Sequence, residues 1–400
     1  MAKFKYRAMS GNGKKIEGNH VANSRDEVIQ MITSNGYYPL MIEEVVESTN
    51  IELGFGEKVT TKDIAIFCRQ LYTMIDAGVS INRSLNIMAN QLTNKKLRKV
   101  TSEIEEDVKK GEMLSAAIKK HDDVFPQLLI SMVESGEISS NLDTMMLRMS
   151  THFEKENKLN NKIKAAMTYP TILGIVAVCA VMFIMTFVMP TFIEMFESEG
   201  VVLPITTKIL INISAILQKN FLFIIICIIF AAVGFKFYSR TEHGIYTISK
   251  LKLHLPIIGE LNKKIIVSRF TRTLSTLIAS GVSLVHSLPV VAGVLGNKIA
   301  EDAINKVREE VTKGEGLSEP IKEAGIFPEM LSSMINIGEE TGQLDEILNK
   351  TADFYDEEVE QAIQTTTALI EPLLIVVMGL VIGFIVISIM LPMFDMYTAM

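Results

Sequence analysis

The 400-residue sequence has no tryptophan, six histidines and three cysteines, and each scarcity excludes something. Cys68, Cys179 and Cys227 are far apart, so neighbours supply neither a disulfide framework nor a C-x-x-C site. His20, His121, His152, His243, His254 and His286 share no zinc-ligand spacing, and H-E-x-x-H is absent. There is no G-x-S-x-G nucleophile motif. Ala8 to Lys14 approaches a phosphate-binding loop, but Lys15 stands where a magnesium-holding Ser or Thr belongs and a strand pattern follows, so a hairpin turn fits better. No cofactor or metal is implied. A basic surface is also lacking: the net charge is −7, which argues against nucleic acid as a partner. The polar stretch Met1–Arg7 is followed by no apolar h-region, so no signal peptide is expected and insertion into a membrane would begin at the first spanning helix.

Apolar residues are plentiful. They make up 48% of the chain and the mean hydropathy is +0.29, high enough that membrane segments are sought first. The organising feature is a stretch that occurs twice. Residues 67–85, FCRQLYTMIDAGVSINRSL, match residues 270–288, FTRTLSTLIASGVSLVHSL, at a constant offset of 270 − 67 = 203. Arg69 thus pairs with Arg272 and Gly78 with Gly281. Beyond Ser115/Ser318 one residue is lost, and an offset of 202 aligns Phe125 with Phe327, Gly136-Glu137 with Gly338-Glu339, Pro170 with Pro372 and Pro190 with Pro392. The chain is a tandem duplication of a unit longer than a hundred residues.

Residues 1–46 read as a small α/β module of three strands and a helix opened by the capping box Ser24–Glu27, and 47–59 as a linker. From Thr60 apolar residues recur at helical spacing, with Gly78 and Gly111 as stops, Pro126 starting a fifth helix and Gly136 ending it, and Asp143 in the first turn of a sixth. About six helices make a bundle over 60–169, and 263–371 repeats the order. The run Glu103–Asp107 reads as the solvated face of a helix rather than a metal site, and Met145, Met146 and Met149 as core or a plastic partner surface.

Both copies end in an apolar run bounded by prolines, 170–190 and 372–392, each about 30 Å long as a helix and so matched to the hydrocarbon layer. A third span is expected at 218–238, with Ile209–Leu217 extending its helix. Residues 191–217 are then an external loop, 239–262 a cytoplasmic connector and 393–400 an external C-terminus. Lys155, Lys158, Lys162 and Lys164 before the first span, and Lys236, Arg240, Lys250 and Lys252 after the second, place both bundles in the cytoplasm. Each repeat sends a helix outward, and the middle span returns the chain. The expected fold is therefore an all-α polytopic membrane protein of two tandem repeats with a return helix and an N-terminal α/β module.

Candidate functional residues follow from this plan. The Gly136-Glu137 and Gly338-Glu339 corners are expected between the fifth helix and the helix that runs on into a span, the glycine allowing a left-handed turn and the glutamate accepting amides that open the next helix. Each is either a capped corner that only stabilises the bundle or a joint that also holds the orientation through which a push on the bundle reaches the membrane. Gly379 and Gly383 form a G-x-x-x-G pair suited to close helix packing, within a protomer or across a dimer. Glu371, at the boundary before Pro372, is either a hydrated cap or a partner contact.

The motif F-x-R-x-L-x-x-x-I-x-x-G-V-S, the later G-E-x-x-x-x-L-D, and the Tyr169-Pro170 and Glu371-Pro372 steps resemble the inner-membrane platform proteins of type II secretion and type IV pilus machines. The resemblance covers essentially the whole chain; copy two has the fuller Gly338–Leu344 motif, whereas Ser140 stands in copy one where Gly342 stands in copy two. It implies a non-enzymatic, multi-pass, dimeric protein of the bacterial inner membrane. Beneath it docks a hexameric ATPase, in pilus systems also a retraction ATPase; its other partners are pilin or pseudopilin subunits, further inner-membrane assembly proteins and lipid. The competing class is a transporter or permease with duplicated halves, but those folds put many spans and intramembrane polar groups in each half. A membrane-bound sensor enzyme lacks any catalytic motif.

Overall fold

The computed structural model describes residues 2–10, 15–22, 25–45, 58–198, 203–256 and 258–399. The turn expected at Ser10–Gly13, most of the phosphate-loop look-alike, the start of the Ser24 capping box and most of the 47–59 linker lie outside the described residues.

Two compact units divide near Lys58. In the first, β1 (Ala2–Ser10) is the central strand of an antiparallel sheet between β2 (Lys15–Ala22) and β3 (Tyr37–Val45). Helix α1 (Arg25–Ser34) closes one face, where Val28 and Ile32 pack against Ala8 and Ala22. The first repeat then runs through α2 (Thr61–Asp76), α3 (Ile81–Gln91), α4 (Lys95–Lys109), α5 (Leu114–Lys119), α6 (Gln127–Ser139) and α7 (Leu142–Phe183). A π-helical turn, Ile184–Val188, carries α7 directly into α8 (Met189–Ser198). Helices α9 (Ile205–Lys219), α10 (Phe221–Tyr238) and α11 (Glu242–His254) lead to the second repeat. That repeat comprises α12 (Ile258–Ala279), α13 (Leu284–Val294), α14 (Lys298–Thr312), α15 (Ser318–Glu323), α16 (Glu329–Thr341) and α17 (Leu344–Ala399).

Local chemistry explains the boundaries. Thr60 and Asp63 form a reciprocal capping box, the Asp63 amide donating to Thr60 Oγ1 at 3.2 Å and the Thr60 amide to Asp63 Oδ2 at 2.9 Å. The same helix ends where Gly78 takes φ +77°, and α12 ends where Gly281 takes φ +80°. The phenylalanines of the repeated motif anchor matching cores: Phe67 meets Phe125 with ring centroids 5.1 Å apart, and Phe270 meets Phe327 at 5.2 Å. The two sets of helices do not make separate cores. One contiguous buried cluster runs from Ile64 through Met145, Met146 and Met149 to Val267, Leu348 and Tyr355. Ser135 Oγ donates to the Ser280 carbonyl at 3.1 Å and Arg148 Nη1 to Ser280 Oγ at 3.1 Å, tying the repeats together.

Several expectations need correction. The fifth helix of each repeat does not end at its Gly-Glu pair: α6 continues to Ser139 and α16 to Thr341, and the left-handed residues are Ser140 (φ 57°) and Gly342 (φ 69°). Gly136 and Gly338 are glycine for another reason. A Cβ on Gly338 would stand 2.9 Å from Leu344 Cα, and one on Gly136 2.9 Å from Met145 Cγ, so each lets its helix lie directly on the start of the next. The Glu103–Asp107 run is not wholly solvated, because Glu105 is buried and bonded to Asn86 (2.9 Å) and Lys109 (2.6 Å). The described part of 191–217 is not a loop; it holds most of α8 and most of α9. Nor does Ile209–Leu217 extend the next helix, since Asn220 (φ −117°, ψ 24°) breaks α9 from α10.

Among the described residues two helices are long and apolar enough to cross a membrane, within Leu142–Phe196 and Leu344–Phe394. Each is the unbroken continuation of a bundle helix, with Pro170 and Pro372 inside it rather than at its start.

Candidate functional site

The candidate site is the seam where the two exit helices, α7 and α17, leave the bundle. Its polar residues come in repeat-related pairs. In repeat one Arg69, on α2, grips Glu154 of α7 with two parallel bonds, Nε to Oε1 at 3.0 Å and Nη2 to Oε2 at 2.8 Å. In repeat two the equivalent arginine, Arg272 on α12, grips α17 instead. Its Nη2 bonds Asp356 at 2.5 Å and Asp353 at 2.8 Å, and its Nη1 bonds Asn349 at 3.3 Å. Asp356 is the counterpart of Glu154, since 154 + 202 = 356. Each repeat therefore ties its first long helix to its exit helix through one arginine. The environments differ: the Arg69 side chain is 41% exposed and that of Arg272 only 11%.

A second set of contacts crosses between repeats. Lys155 of α7 pairs with Asp353 of α17 at 3.0 Å, Lys162 pairs with Glu360, and Tyr169 donates to Glu371 Oε1 at 3.3 Å. Positions 155, 162 and 169 are spaced by sevens, so they lie on one helical stripe facing the partner helix. The ladder climbs to Pro170 and Pro372, where the apolar runs begin. Glu371 is thus a partner of Tyr169, its counterpart by 169 + 202 = 371.

Beside the ladder lies a cleft of about 590 Å³ bounded by α7, α12 and α17, with Arg148, His152, Lys155, Arg272, Asp345 and Asn349 among its walls. His152 is buried, and its Nδ1 has no hydrogen-bond partner among the described residues. Burial, reinforced by the charges of Arg272 and Lys155, lowers its pKa from 6.5 to about 4. Nearby, burial pushes the Glu156 carboxyl upward against the pull of Arg269. No group of three or more His, Cys, Asp or Glu able to hold a metal occurs among the described residues.

The glutamates of the Gly-Glu pairs act backwards along the chain. Glu137 accepts the amides of Leu114 (2.6 Å) and Ser115 (2.9 Å) and the hydroxyl of Ser115; Glu339 accepts those of Leu317 (2.5 Å) and Ser318 (3.2 Å). Each carboxylate caps the short α5 or α15, so the expectation that it caps the following helix is corrected. The first amides of any helix have no acceptor within it, and the later glutamate supplies one for those that open α5 and α15. Gly379 and Gly383 have no atom within 4 Å of where a Cβ would stand, so no helix among the described residues packs closely there.

Sequence reasoning found Arg69, Arg272, Glu137, Glu339 and Glu371, but not Glu154, Asp353, Asp356, Lys155, Lys162, Glu360 and His152 as members of one seam. The repeat offset linking Glu154 to Asp356 was the available signal, together with the seven-residue spacing of Lys155 and Lys162.

Comparison with known proteins agrees with the repeat. The family model for the type II secretion system protein F matches twice, over residues 67–190 and 270–392, and the model for the N-terminal domain of that family matches residues 1–43. The type IV pilus assembly protein PilC of Thermus thermophilus is 35% identical over 398 residues, covering 98% of each chain. PilC of Pseudomonas aeruginosa is 37% identical over 347 residues, 86% of this chain and 92% of its own. The type II secretion system protein F of Aeromonas hydrophila is 32% identical over 378 residues, 94% and 97% of the two chains.

Proposed function

The chain belongs to the type II secretion system protein F family, and on that footing we propose that it is the inner-membrane platform of a type IV pilus or type II secretion machine. It spans the bilayer three times, through the apolar parts of α7–α8, α10 and α17, with both bundles in the cytoplasm. A cytoplasmic hexameric ATPase, and in a pilus system also a retraction ATPase, docks on the bundles. Their motion passes to the spans, which lift pilin or pseudopilin subunits from the bilayer into a filament alongside other inner-membrane assembly proteins. The platform works as a dimer and performs no chemistry of its own.

One observation carries this reading. Each repeat's last bundle helix is the same unbroken helix that carries its apolar run, so a displacement of the bundle reaches the membrane without passing a flexible joint. A transporter needs a polar path among several spans in each half; here each repeat supplies one span. The arginine braces and the lysine–carboxylate ladder hold the two exit helices in register where they leave the bundle. Purification of the tagged full chain from mild detergent tests the reading. Co-purification of a hexameric ATPase encoded by the same organism is expected; solute flux by the reconstituted chain alone would overturn it.

A further inference from the structure

Helix α9 has no role in the reading above, and its surroundings are specific. Three of its side chains bond backbone carbonyls of the exit helices. Thr207 Oγ1 donates to the Ser388 carbonyl of α17 at 2.6 Å, Ser214 Oγ to the Met185 carbonyl in the π-helical turn at 2.6 Å, and Gln218 Nε2 to the Thr186 carbonyl at 3.4 Å. A π-turn disturbs the usual carbonyl pairing of its helix, and Ser214 occupies an oxygen that water could not reach there. Leu210 seals the contact in an apolar cluster with Met185, Met189, Ile385 and Ile389.

These contacts fix the direction of α9. The rungs of the ladder set offsets of 198 to 202 between the exit helices, which puts Met185 level with a position between Gly383 and Ile387, one to five residues short of Ser388. Thr207 and Ser214 therefore touch the two helices at heights that differ by about 1.5–7.5 Å, less than the distance between them along α9. They are seven residues apart, about 10.5 Å along α9, close to the 8–10 Å that separates packed helix axes. Helix α9 lies across the two spans rather than along them.

Its other faces are sorted. At about 100° per residue, Ile205, Ile209, Ile213 and Ile216 fall within an arc of roughly 80°, and all are exposed, Ile205 by 77%. Next to them stand Asn212, Lys208 and Lys219, also exposed; the helix has no acidic residue. The level of contact is 15 residues beyond Pro170 and 16 beyond Pro372, about 22–24 Å into a hydrocarbon layer of ~30 Å. That leaves roughly 6–8 Å to the outer boundary, within the depth at which in-plane amphipathic helices sit.

We propose that α9 is an interfacial membrane helix, with its isoleucine stripe in the acyl chains of the outer leaflet and Lys208 and Lys219 directed to lipid phosphates. The stripe continues the lipid-facing surfaces of the spans, and the lysines complement an anionic headgroup layer. So placed, α9 straps the outer ends of the two exit helices together within the membrane. The inference rests on the spanning role of α7 and α17, so the test carries a control for that role.

The chain's lack of tryptophan permits single fluorescent reporters. Full-length variants Ile209→Trp, Ile216→Trp and Ala215→Trp, the last on the lysine side, are reconstituted in phosphatidylcholine/phosphatidylglycerol vesicles, with Ile175→Trp on α7 as the mid-span control. Brominated acyl chains should quench Ile209→Trp, Ile216→Trp and the control while aqueous acrylamide leaves them bright, and acrylamide should quench Ala215→Trp more than either stripe position. Quenching of the stripe by acrylamide with the control still quenched only by lipid overturns the assignment of α9 alone. A stripe shielded from both quenchers overturns it too and points to a second copy of the chain. A control quenched by acrylamide instead overturns the spanning assignment on which the proposal stands.

Discussion

Glu339 Oε1 accepts the backbone amide of Leu317 at 2.5 Å, across 22 residues of chain and from one helix to the start of another. The bond braces α15 against α16, and Glu137 does the same for α5 and α6. Glu339→Gln keeps the shape but removes the charge, and it turns one oxygen into a donor facing an amide. A loss of about 1–3 kcal/mol is expected from replacing charge-assisted bonds, read as a lower melting temperature of the detergent-solubilised chain. Filament assembly or secretion should fall only as far as the membrane level of the protein falls. Assembly abolished at normal level and normal melting temperature would assign Glu339 to force transmission instead.

Arg69 and Arg272 are equivalent in the repeat and unequal in burial, so they should differ in cost. Arg272→Ala removes a buried guanidinium and its charge-assisted bonds, while Asp353 keeps Lys155 and Asp356 keeps Ser268, so it should destabilise by about 1.5–3 kcal/mol. Arg69→Ala removes an exposed pair and should cost about 0–1 kcal/mol. Denaturant unfolding of both variants checks the ranking; equal losses would show that burial does not set it.

Ser140 and Gly342 occupy the same left-handed position at the end of α6 and α16, but only one is glycine. A side chain there costs about 1–2 kcal/mol, so Ser140→Gly should stabilise the chain by about 1 kcal/mol and Gly342→Ala should destabilise it by a similar amount. The opposite neighbour effect is expected at Gly338. Gly338→Ala should cost about 1–3 kcal/mol because its methyl meets the Leu344 backbone, which cannot swing aside.

The sequence displayed the repeat, the helix stops at Gly78 and Gly281 and the two long apolar runs, because these are written in local periodicity and spacing. It did not display the ladder. Lys155 and Lys162 look like any charges before a span, and their partners are 198 residues away. The Gly-Glu pairs looked like helix ends because glycine so often stops a helix. Here the missing side chain admits a neighbouring helix, which only the packing reveals. The stretch 191–217 looked like a loop because Glu194, Glu197 and Glu199 interrupt its hydrophobicity, while the serine and threonine that seat α9 read as polar loop residues until their carbonyl partners are known.

His152 gives a pH signature. Its pKa is about 4 in the folded chain and about 6.5 when unfolded, so the unfolded state binds more protons between those values. Stability from keeping His152 neutral is full above pH 6.5 and is lost as the pH falls toward 4, by up to about 3 kcal/mol. The upward shift of Glu156 works the other way, since the folded state binds its proton more readily and gains stability as the pH falls. His152→Leu should therefore melt with a smaller drop between pH 7 and pH 5 than the parent chain. An unchanged drop would place the titrating group elsewhere.

The membrane orientation is open to direct labelling. In a cysteine-free background, single cysteines at Ser198 and Thr398 should react with an impermeant reagent in intact cells, and one at Ser318 should not. Reaction at Ser318 with Ser198 protected would reverse the orientation and put the bundles outside.

The most direct measurement is made in the cell that encodes this chain. Its gene is deleted, and surface filaments and secreted protein are counted while the levels of the pilin or pseudopilin and of the assembly ATPase are followed by immunoblot. If the chain is the platform, filaments or secretion disappear, subunits stay in the inner membrane at normal level, and the full-length chain supplied in trans restores assembly. Filaments and secretion at parental levels without the chain would contradict it.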